Sequence, residues 1–288
     1  MSLSPRQEEA IERYVATGDY DLMHPEWPGG IIEGGRRAAE DLTRALLAEI
    51  DRRSRGRRPA DVPQLLNLES FTRSKVEPMV RGLFPAGERE AVLALLERSV
   101  VFVTRDNLAP LLHSFSFLST AWDVANLYLT SVGAEPLSIE APAIVGLSEE
   151  ARCYVSTEYF GTGSSRFADF VLHETAHIFH NCKRRTTGLA ERGRLEWLLD
   201  IDFKMRETFA YACEAYGRIL ELGSRPSDRR LLLSELLDGP MPNDDRVDEN
   251  DYRDILSQAV AGRSGWRRIL RRCAPSLDGR LGRRSTRR

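Results

Sequence analysis

Residues 167–179 read Phe-Ala-Asp-Phe-Val-Leu-His-Glu-Thr-Ala-His-Ile-Phe, and this segment carries the strongest pattern in the sequence. Its large apolar side chains recur at helical spacing and define one face: Phe167, Val171, Leu172, Ile178 and Phe179. His173 and His177 fall opposite that face, one helical turn apart, so both imidazole rings point to the same side. The segment therefore predicts a helix that is buried along its back and presents two histidines to a cleft.

The two histidines flank a glutamate in the pattern His-Glu-x-x-His, which is typical of a catalytic metal site. Zinc suits nitrogen and oxygen ligands and keeps one position open for a water molecule. Glu174 would lie beside that water and can act as its general base. The plain alternative is a pair of surface histidines around a glutamate, but the apolar arc behind them favours a buried site. We therefore expect zinc on His173 and His177.

A catalytic zinc needs a third protein ligand, and Glu207 is the best candidate. A polar stripe runs along the helix predicted in this region and contains Glu207, Tyr211, Glu214 and Arg218. Arg218 lies one turn after Glu214, so a salt bridge between them would explain Glu214 without a metal. The residues kept as alternative ligands are Glu214, His180, Glu196, Asp200 and Asp202.

Other side chains are candidates for supporting roles around the metal. Tyr211 shares the stripe with Glu207 and can donate a hydrogen bond to the oxyanion of a tetrahedral intermediate, with plain packing as the alternative. His180 lies one turn further along the histidine face and fits a substrate contact, a partner of a ligand, or a solvated residue at the helix end. Asp200 or Asp202 can orient a ligand histidine.

Outward from this segment, the chain has the pattern of a mostly helical protein. Apolar periodicity predicts helices at 4–16, 36–53, 68–83, 88–97 and 107–131, and further helices between Gly188 and Gly223 and beyond. β-branched and alternating runs predict strands at 99–104, 143–147 and 152–160. The expected fold class is α+β, mostly helical, with a small sheet ahead of the histidine helix.

The motif at 173–177, together with the later Glu207-Thr-Phe-Ala210, resembles the zincin metallopeptidases and, within them, the gluzincin group. In that group the third ligand is a glutamate on a later helix, and in several families it begins an E-x-x-A motif. The resemblance covers 99–223 as a strand-rich segment, an HExxH helix and a glutamate helix.

This resemblance implies a role for each matching residue. His173, His177 and Glu207 would be the metal ligands, and Glu174 the general base. The strand at 152–160 would be an edge strand that pairs with an extended substrate. The expected domains are a helical N-terminal region (1–98), a zincin-like catalytic core (99–224) and a helical C-terminal region with a basic tail (225–288).

Composition limits the compartment and the partners. Hydrophobic residues make up 42% and charged residues 29% of the 288 residues, an ordinary globular balance, and the formal net charge is −2. No apolar run reaches the length that a bilayer requires, and the polar N-terminus lacks a secretory pattern. The four cysteines form no CxxC pair, so we expect reduced thiols in a cytoplasmic protein that does not bind a membrane.

The C-terminal segment Arg267–Arg288 holds nine arginines against one acidic residue, Asp278. Such a charge excess fits nucleic acid or an acidic partner, but Trp266 is the only aromatic residue beside it. We interpret the segment as a mobile tail and expect no nucleic-acid partner.

These observations together predict a zinc-dependent metallopeptidase that hydrolyses a bond in a peptide or protein substrate. One alternative keeps the metal site but places Fe2+ in it, as in the iron(II)/2-oxoacid oxygenases, with a peptide as substrate. Another alternative is a catalytically inert, metal-binding regulatory protein. Glu174 argues against the inert alternative, because a purely structural site has no use for a base at that position.

Overall fold

The computed structural model describes residues 3–58, 63, 67–139, 141, 146–161, 165–191 and 195–275. The helices formed by these residues are α1 (Pro5–Thr17), α2 (Gly30–Arg53), α3 (Leu68–Leu83), α4 (Arg89–Leu96), α5 (Arg105–Ser114), α6 (Leu118–Ser131), α7 (Phe170–Asn181), α8 (Arg206–Leu222), α9 (Pro226–Asp238), α10 (Glu249–Ala261) and α11 (Gly265–Cys273). The strands are β1 (Val100–Val103), β2 (Gly146–Glu149) and β3 (Arg152–Ser156). The fold is mostly helical with a small sheet, as the sequence predicts.

Two compact units share the chain, and their segments alternate along it. The first comprises Met1–Gln64, Phe102–Leu147 and Tyr154–Gly163, and the second comprises Leu65–Val101, Ser148–Cys153 and Ser164–Arg288. The three domains expected at 1–98, 99–224 and 225–288 stay a prediction.

The first unit is built from α1, α2, α5 and α6, with α2 packed against the other three. Tyr14 is fully buried, and its hydroxyl donates to the carbonyl of Leu118 at 2.7 Å. The indole Nε1–H of Trp122 donates to the carbonyl of Val15 at 3.1 Å. These bonds satisfy aromatic polar groups that would otherwise be costly to bury, and they attach α1 to α6.

The second unit is organised around α8, which packs against α7, α9, α10 and α11. Its buried apolar face is formed by Phe209, Ala212, Cys213, Tyr216 and Ile219. Helices α7 and α8 approach closely at Gly217, where an added Cβ would lie 2.5 Å from Leu172 Cδ1. The absence of a side chain there lets the polar stripe of α8 reach the histidine face of α7.

The sheet corrects an expectation about the third strand. Its order is β1-β3-β2, so β3 is the central strand and not an edge strand. β2 and β3 are joined by a tight turn in which Glu150 has a φ of 28°. The strand predicted at 152–160 ends at Ser156, whose side chain accepts the N–H of Glu158 at 3.1 Å and turns the chain into a 3-10 helix. Because β3 has a neighbour on each side, it cannot pair with a substrate as the resemblance implied.

Two helices differ from their predicted bounds. The long helix expected at 107–131 is divided into α5 and α6 by an extended segment at Phe115–Phe117, where Phe115 packs against Tyr154 with ring centroids 5.1 Å apart. Helix α2 begins at Gly30, ahead of the expected residue 36, and its first apolar residues, Ile31 and Ile32, are 65% and 88% exposed. The apolar pattern missed this start because those side chains are not buried.

Of the strand expected at 143–147, residues 143–145 lie outside the described ranges, and β2 begins at Gly146.

The basic segment at Arg267–Arg288 is partly helical, in contrast to the expected mobile tail. Residues up to Cys273 belong to α11, where Trp266, Ile269 and Cys273 are buried. Arg272 pairs with Asp251 at 3.0 Å and also with Asp254. Residues 276–288 lie outside the described part of the chain.

All four cysteines are free and buried. Within the described ranges, no helix combines the length and the apolar character needed to cross a bilayer.

Gly82→Ala tests the packing of α3 on α11. An added Cβ would lie 2.1 Å from Trp266 Cδ1. The indole is held by an edge-on contact with the ring of Tyr216, with ring centroids 4.8 Å apart. We expect this clash to lower the free energy of unfolding by about 1–3 kcal/mol in urea denaturation. Gly87→Ala is the matched control, because nothing lies within 4 Å of its added Cβ. Equal stability of the two variants would contradict the packing described.

Candidate metal centre

Helix α7 starts at a buried aspartate that also connects it to α8. The side chain of Asp169 caps the helix by accepting the N–H of Leu172 at 3.2 Å, and its other oxygen lies 3.0 Å from Lys75 Nζ. The backbone N–H of Asp169 donates to Glu214 Oε1 on α8 at 2.6 Å. Asp169 is therefore the cap, whereas the expected helix began at residue 167.

The back of α7 is buried as the apolar pattern predicts. Val171, Ile178 and Phe179 are fully buried, and Phe179 packs edge-on against Phe84 with centroids 5.1 Å apart. Because that face is fixed in the core, His173 and His177 are held on the opposite face, next to α8.

Three side chains meet at this face with the spacing of metal ligands. The Nε2 atoms of His173 and His177 are 3.2 Å apart, and Glu207 Oε2 lies 3.8 Å and 3.4 Å from them, respectively. Ligand atoms at the corners of a tetrahedron around zinc lie about 3.3–3.4 Å apart when the bonds are ~2.0–2.1 Å long. The three side chains keep 11–15% of their surface exposed, so the cluster is largely buried but not sealed from solvent. This cluster can hold a metal ion, and the ligand role of each residue stays a prediction.

Among the described residues, these three form the only group of histidines, cysteines and carboxylates close enough to share an ion. The alternative ligands lie elsewhere or have other partners. Glu196 pairs with Lys183 at 2.7 Å, Asp200 is exposed, and Asp202 caps a 3-10 helix through the N–H of Lys204.

Glu214 is the partner of His173, which corrects the expectation that it pairs with Arg218. Its Oε2 lies 3.2 Å from His173 Nδ1, while Arg218 pairs with Glu221 and donates to the carbonyl of Arg166. Glu214 on α8, and not Asp200 or Asp202, therefore lies where it could orient a predicted ligand histidine. A carboxylate on Nδ1 directs Nε2 of the same ring toward a metal.

His180 is the corresponding partner of His177. Its Nε2 lies 3.1 Å from His177 Nδ1, and its Nδ1 lies 3.1 Å from Asn181 Oδ1. The side chain is buried, so the solvated alternative is wrong. Burial, with the nearby charges of His177 and Arg206, lowers the pKa of His180 to about 3. His180 is therefore neutral at physiological pH and can accept a hydrogen bond from His177.

The cluster attracts positive charge. Burial alone would lower the pKa of His173, but its hydrogen bond to Glu214 and the charges of Glu214, Glu174 and Glu207 raise it to about 9. Burial alone would raise the pKa of Glu207, yet the hydrogen bond and charge of His177 keep it below its usual value. The carboxylates therefore stabilise positive charge on the neighbouring imidazoles.

Glu174 lies within electrostatic range of the whole cluster. It is buried, and burial raises its pKa while the charges of His173 and His177 oppose that rise. The neighbouring carboxylates Glu207 and Glu214 raise it further. Such an environment suits a group that gains and loses a proton.

Tyr211 packs directly on the predicted ligand His173. The two rings meet edge-on with centroids 4.4 Å apart. Burial and the charges of Glu214, Asp244 and Glu207 raise the pKa of Tyr211 to about 12. The phenol therefore stays protonated at neutral pH and can donate a hydrogen bond.

One contact to the cluster comes from a loop that the sequence pattern did not indicate. Arg246, between α9 and α10, reaches Glu207 with Nη1 2.8 Å from Oε1. Arg246 follows Glu207 by 39 positions and lies in an acidic segment, so no local spacing connects the two residues.

Comparisons of the chain with protein-family models, with curated proteins and with solved structures gave no match. The function is therefore inferred from the geometry of this site.

His177→Ala should abolish stoichiometric zinc binding. Loss of an orienting partner weakens metal affinity by about 10–100-fold, so loss of a ligand should cost more than that. Zinc content by elemental analysis and affinity by competition with a chelating dye would measure the effect. His113→Ala is the control, because His113 is exposed on α5 and should leave zinc binding unchanged. One zinc per chain retained in His177→Ala would contradict the site.

Glu214→Gln should weaken zinc affinity by about 10–100-fold, because the charge that orients His173 is removed. The amide oxygen can still accept the N–H of Asp169, so the start of α7 should persist. Glu235→Gln is the matched control on an exposed carboxylate whose partner, Arg166, lies outside the cluster. The same dye competition measures both variants, and equal affinity would show that Glu214 does not orient the ligand.

Proposed function

We propose that this protein is a zinc-dependent metallopeptidase. The observation that carries the proposal is the cluster of His173, His177 and Glu207, with ligand atoms within 4.8 Å of one another and Glu174 buried beside it. The proposal includes the peptide or protein substrate and the cytoplasmic location predicted from the sequence. The gluzincin resemblance is part of the same hypothesis.

The protein's own groups supply most of the proposed chemistry. Zinc, when bound, polarises a carbonyl and lowers the pKa of a water molecule. Glu174 accepts a proton from the attacking water and returns it to the leaving amine, a transfer favoured by its raised pKa. His173 and His177 are each held by a partner on the second ring nitrogen, Glu214 and His180 respectively.

Tyr211 supports the proposal as a donor to developing negative charge. Its ring lies against His173, and its pKa of about 12 keeps the hydroxyl protonated at the pH of the reaction. A fixed donor next to a forming oxyanion is worth about 2.7–4 kcal/mol in known enzymes.

The same ligand set also fits an iron(II) oxygenase, since those enzymes use two histidines and one carboxylate. Glu174 favours hydrolysis, because an oxygenase needs no general base beside its metal. An inert regulatory protein has no need for a buried carboxylate in that position either.

Glu174→Gln should abolish peptide hydrolysis while zinc content stays at the wild-type level, since Gln cannot carry a proton between water and amine. The assay is incubation of the zinc-loaded protein with a proteome-derived peptide library and detection of new termini by mass spectrometry. Glu221→Gln is the control, because this α8 carboxylate pairs with Lys75 and is half exposed.

Retained cleavage by Glu174→Gln would disprove the proposed base. Iron in protein purified without added metal, together with consumption of a 2-oxoacid, would instead support the oxygenase. Absence of cleavage and of oxoacid consumption in the zinc- and iron-loaded wild type would favour the inert protein.

A further inference from the structure

We propose that Arg246 is a positioning residue for the third ligand. It holds Glu207 through Oε1, so that Oε2 alone faces the two imidazoles. This inference rests on the proposed metal site and adds a residue from outside the two helices that build it.

The two oxygens of Glu207 have separate partners. Oε1 lies 2.8 Å from Arg246 Nη1, and Oε2 lies 3.4 Å from His177 Nε2 and 3.8 Å from His173 Nε2. One oxygen of the Glu207 carboxylate therefore faces Arg246 in the loop, and the other faces the two histidines. A rotation that brought both oxygens toward the imidazoles would break the ion pair with Arg246.

Arg246 is itself held in place by Asp244. The guanidinium donates from Nη2 to Oδ2 at 2.6 Å and from Nε to Oδ1 at 2.9 Å, and the backbone N–H of Arg246 also donates to Oδ1 at 2.9 Å. The side chain of Asp244 is only 12% exposed, whereas that of Arg246 is 65% exposed. A largely buried carboxylate thus fixes the orientation of an otherwise exposed guanidinium, in the paired geometry that arginine and carboxylate prefer.

The contact with Arg246 affects how the Glu207 carboxylate would bind a metal ion. A glutamate with both oxygens free can bind an ion through one oxygen or through two. The ion pair of Oε1 with Arg246 favours binding through Oε2 alone. One-oxygen binding leaves the fourth position of a tetrahedral site open for water, which a catalytic site requires.

The contacts of Arg246 favour this positioning role over direct binding of an anionic substrate. Its positive charge is already balanced by Asp244 and Glu207, both within hydrogen-bond distance. Lysine could replace it only in part, because a single ammonium group does not reproduce the planar fork that contacts two carboxylates at once.

The experiment uses the full chain loaded with Co2+, whose visible absorption depends on the number of ligands. For wild type we expect the intense bands of four-coordinate cobalt. For Arg246→Ala we expect a several-fold loss of band intensity, as Glu207 binds through both oxygens, and a cobalt affinity lower by about 10–100-fold. Arg246→Lys should give an intermediate spectrum. Arg263→Ala, at an exposed position of the same unit, is the control and should match wild type.

Asp244→Asn provides a second variant in case Arg246→Ala does not fold. It keeps the guanidinium but weakens its anchor, and it should change the spectrum in the same direction. Wild-type spectra in the folded variants would overturn the inference, and so would an increase in the KM for peptide cleavage with no spectral change. A wild-type protein that takes up no cobalt would instead overturn the proposed function, so the two failures are distinguishable.

Discussion

The close packing of α7 against α8 is the constraint on which the candidate site depends. The apolar back of α7 is buried, so its histidines can face only α8, and Gly217 leaves room for Leu172 at the point of closest approach. Glu207 and Glu214 then reach His173 from positions about two turns apart on one face of α8. Neither helix could position these groups alone.

Burial of so many ionisable groups is costly unless their charges are balanced. Glu174 and Glu214 are at most 7% exposed, and Glu207 lies in the same neighbourhood. The chain offers partial balance through His173, whose pKa rises to about 9, and through Lys75 at the cap of α7. A divalent cation between the imidazoles would replace the proton on His173 and balance the same carboxylates, which is the physical reason that the cluster could hold a metal.

The side chains that contact the three predicted ligands come from different elements of the fold. His173 depends on α8 through Glu214, whereas His177 depends on its own helix through His180. Arg246 and Asp244 add a third element, the loop between α9 and α10, on the outer side of Glu207. The site is thus supported from one helix, from a packed neighbour and from a loop further along the chain.

Local sequence patterns were sufficient to predict which residues share one face of a single helix. The apolar arc and the histidine pair of α7 follow from a period of 3.6 residues, and the stripe of α8 placed Glu207, Tyr211 and Glu214 on one face. The role of Glu214 required the structure, because a salt bridge with Arg218 satisfied the same spacing. Only the structure could show that β3 is the central strand and that Arg246 contacts Glu207. Strand order and contacts between a loop and a helix join residues that are far apart in the sequence, and no local periodicity encodes such contacts.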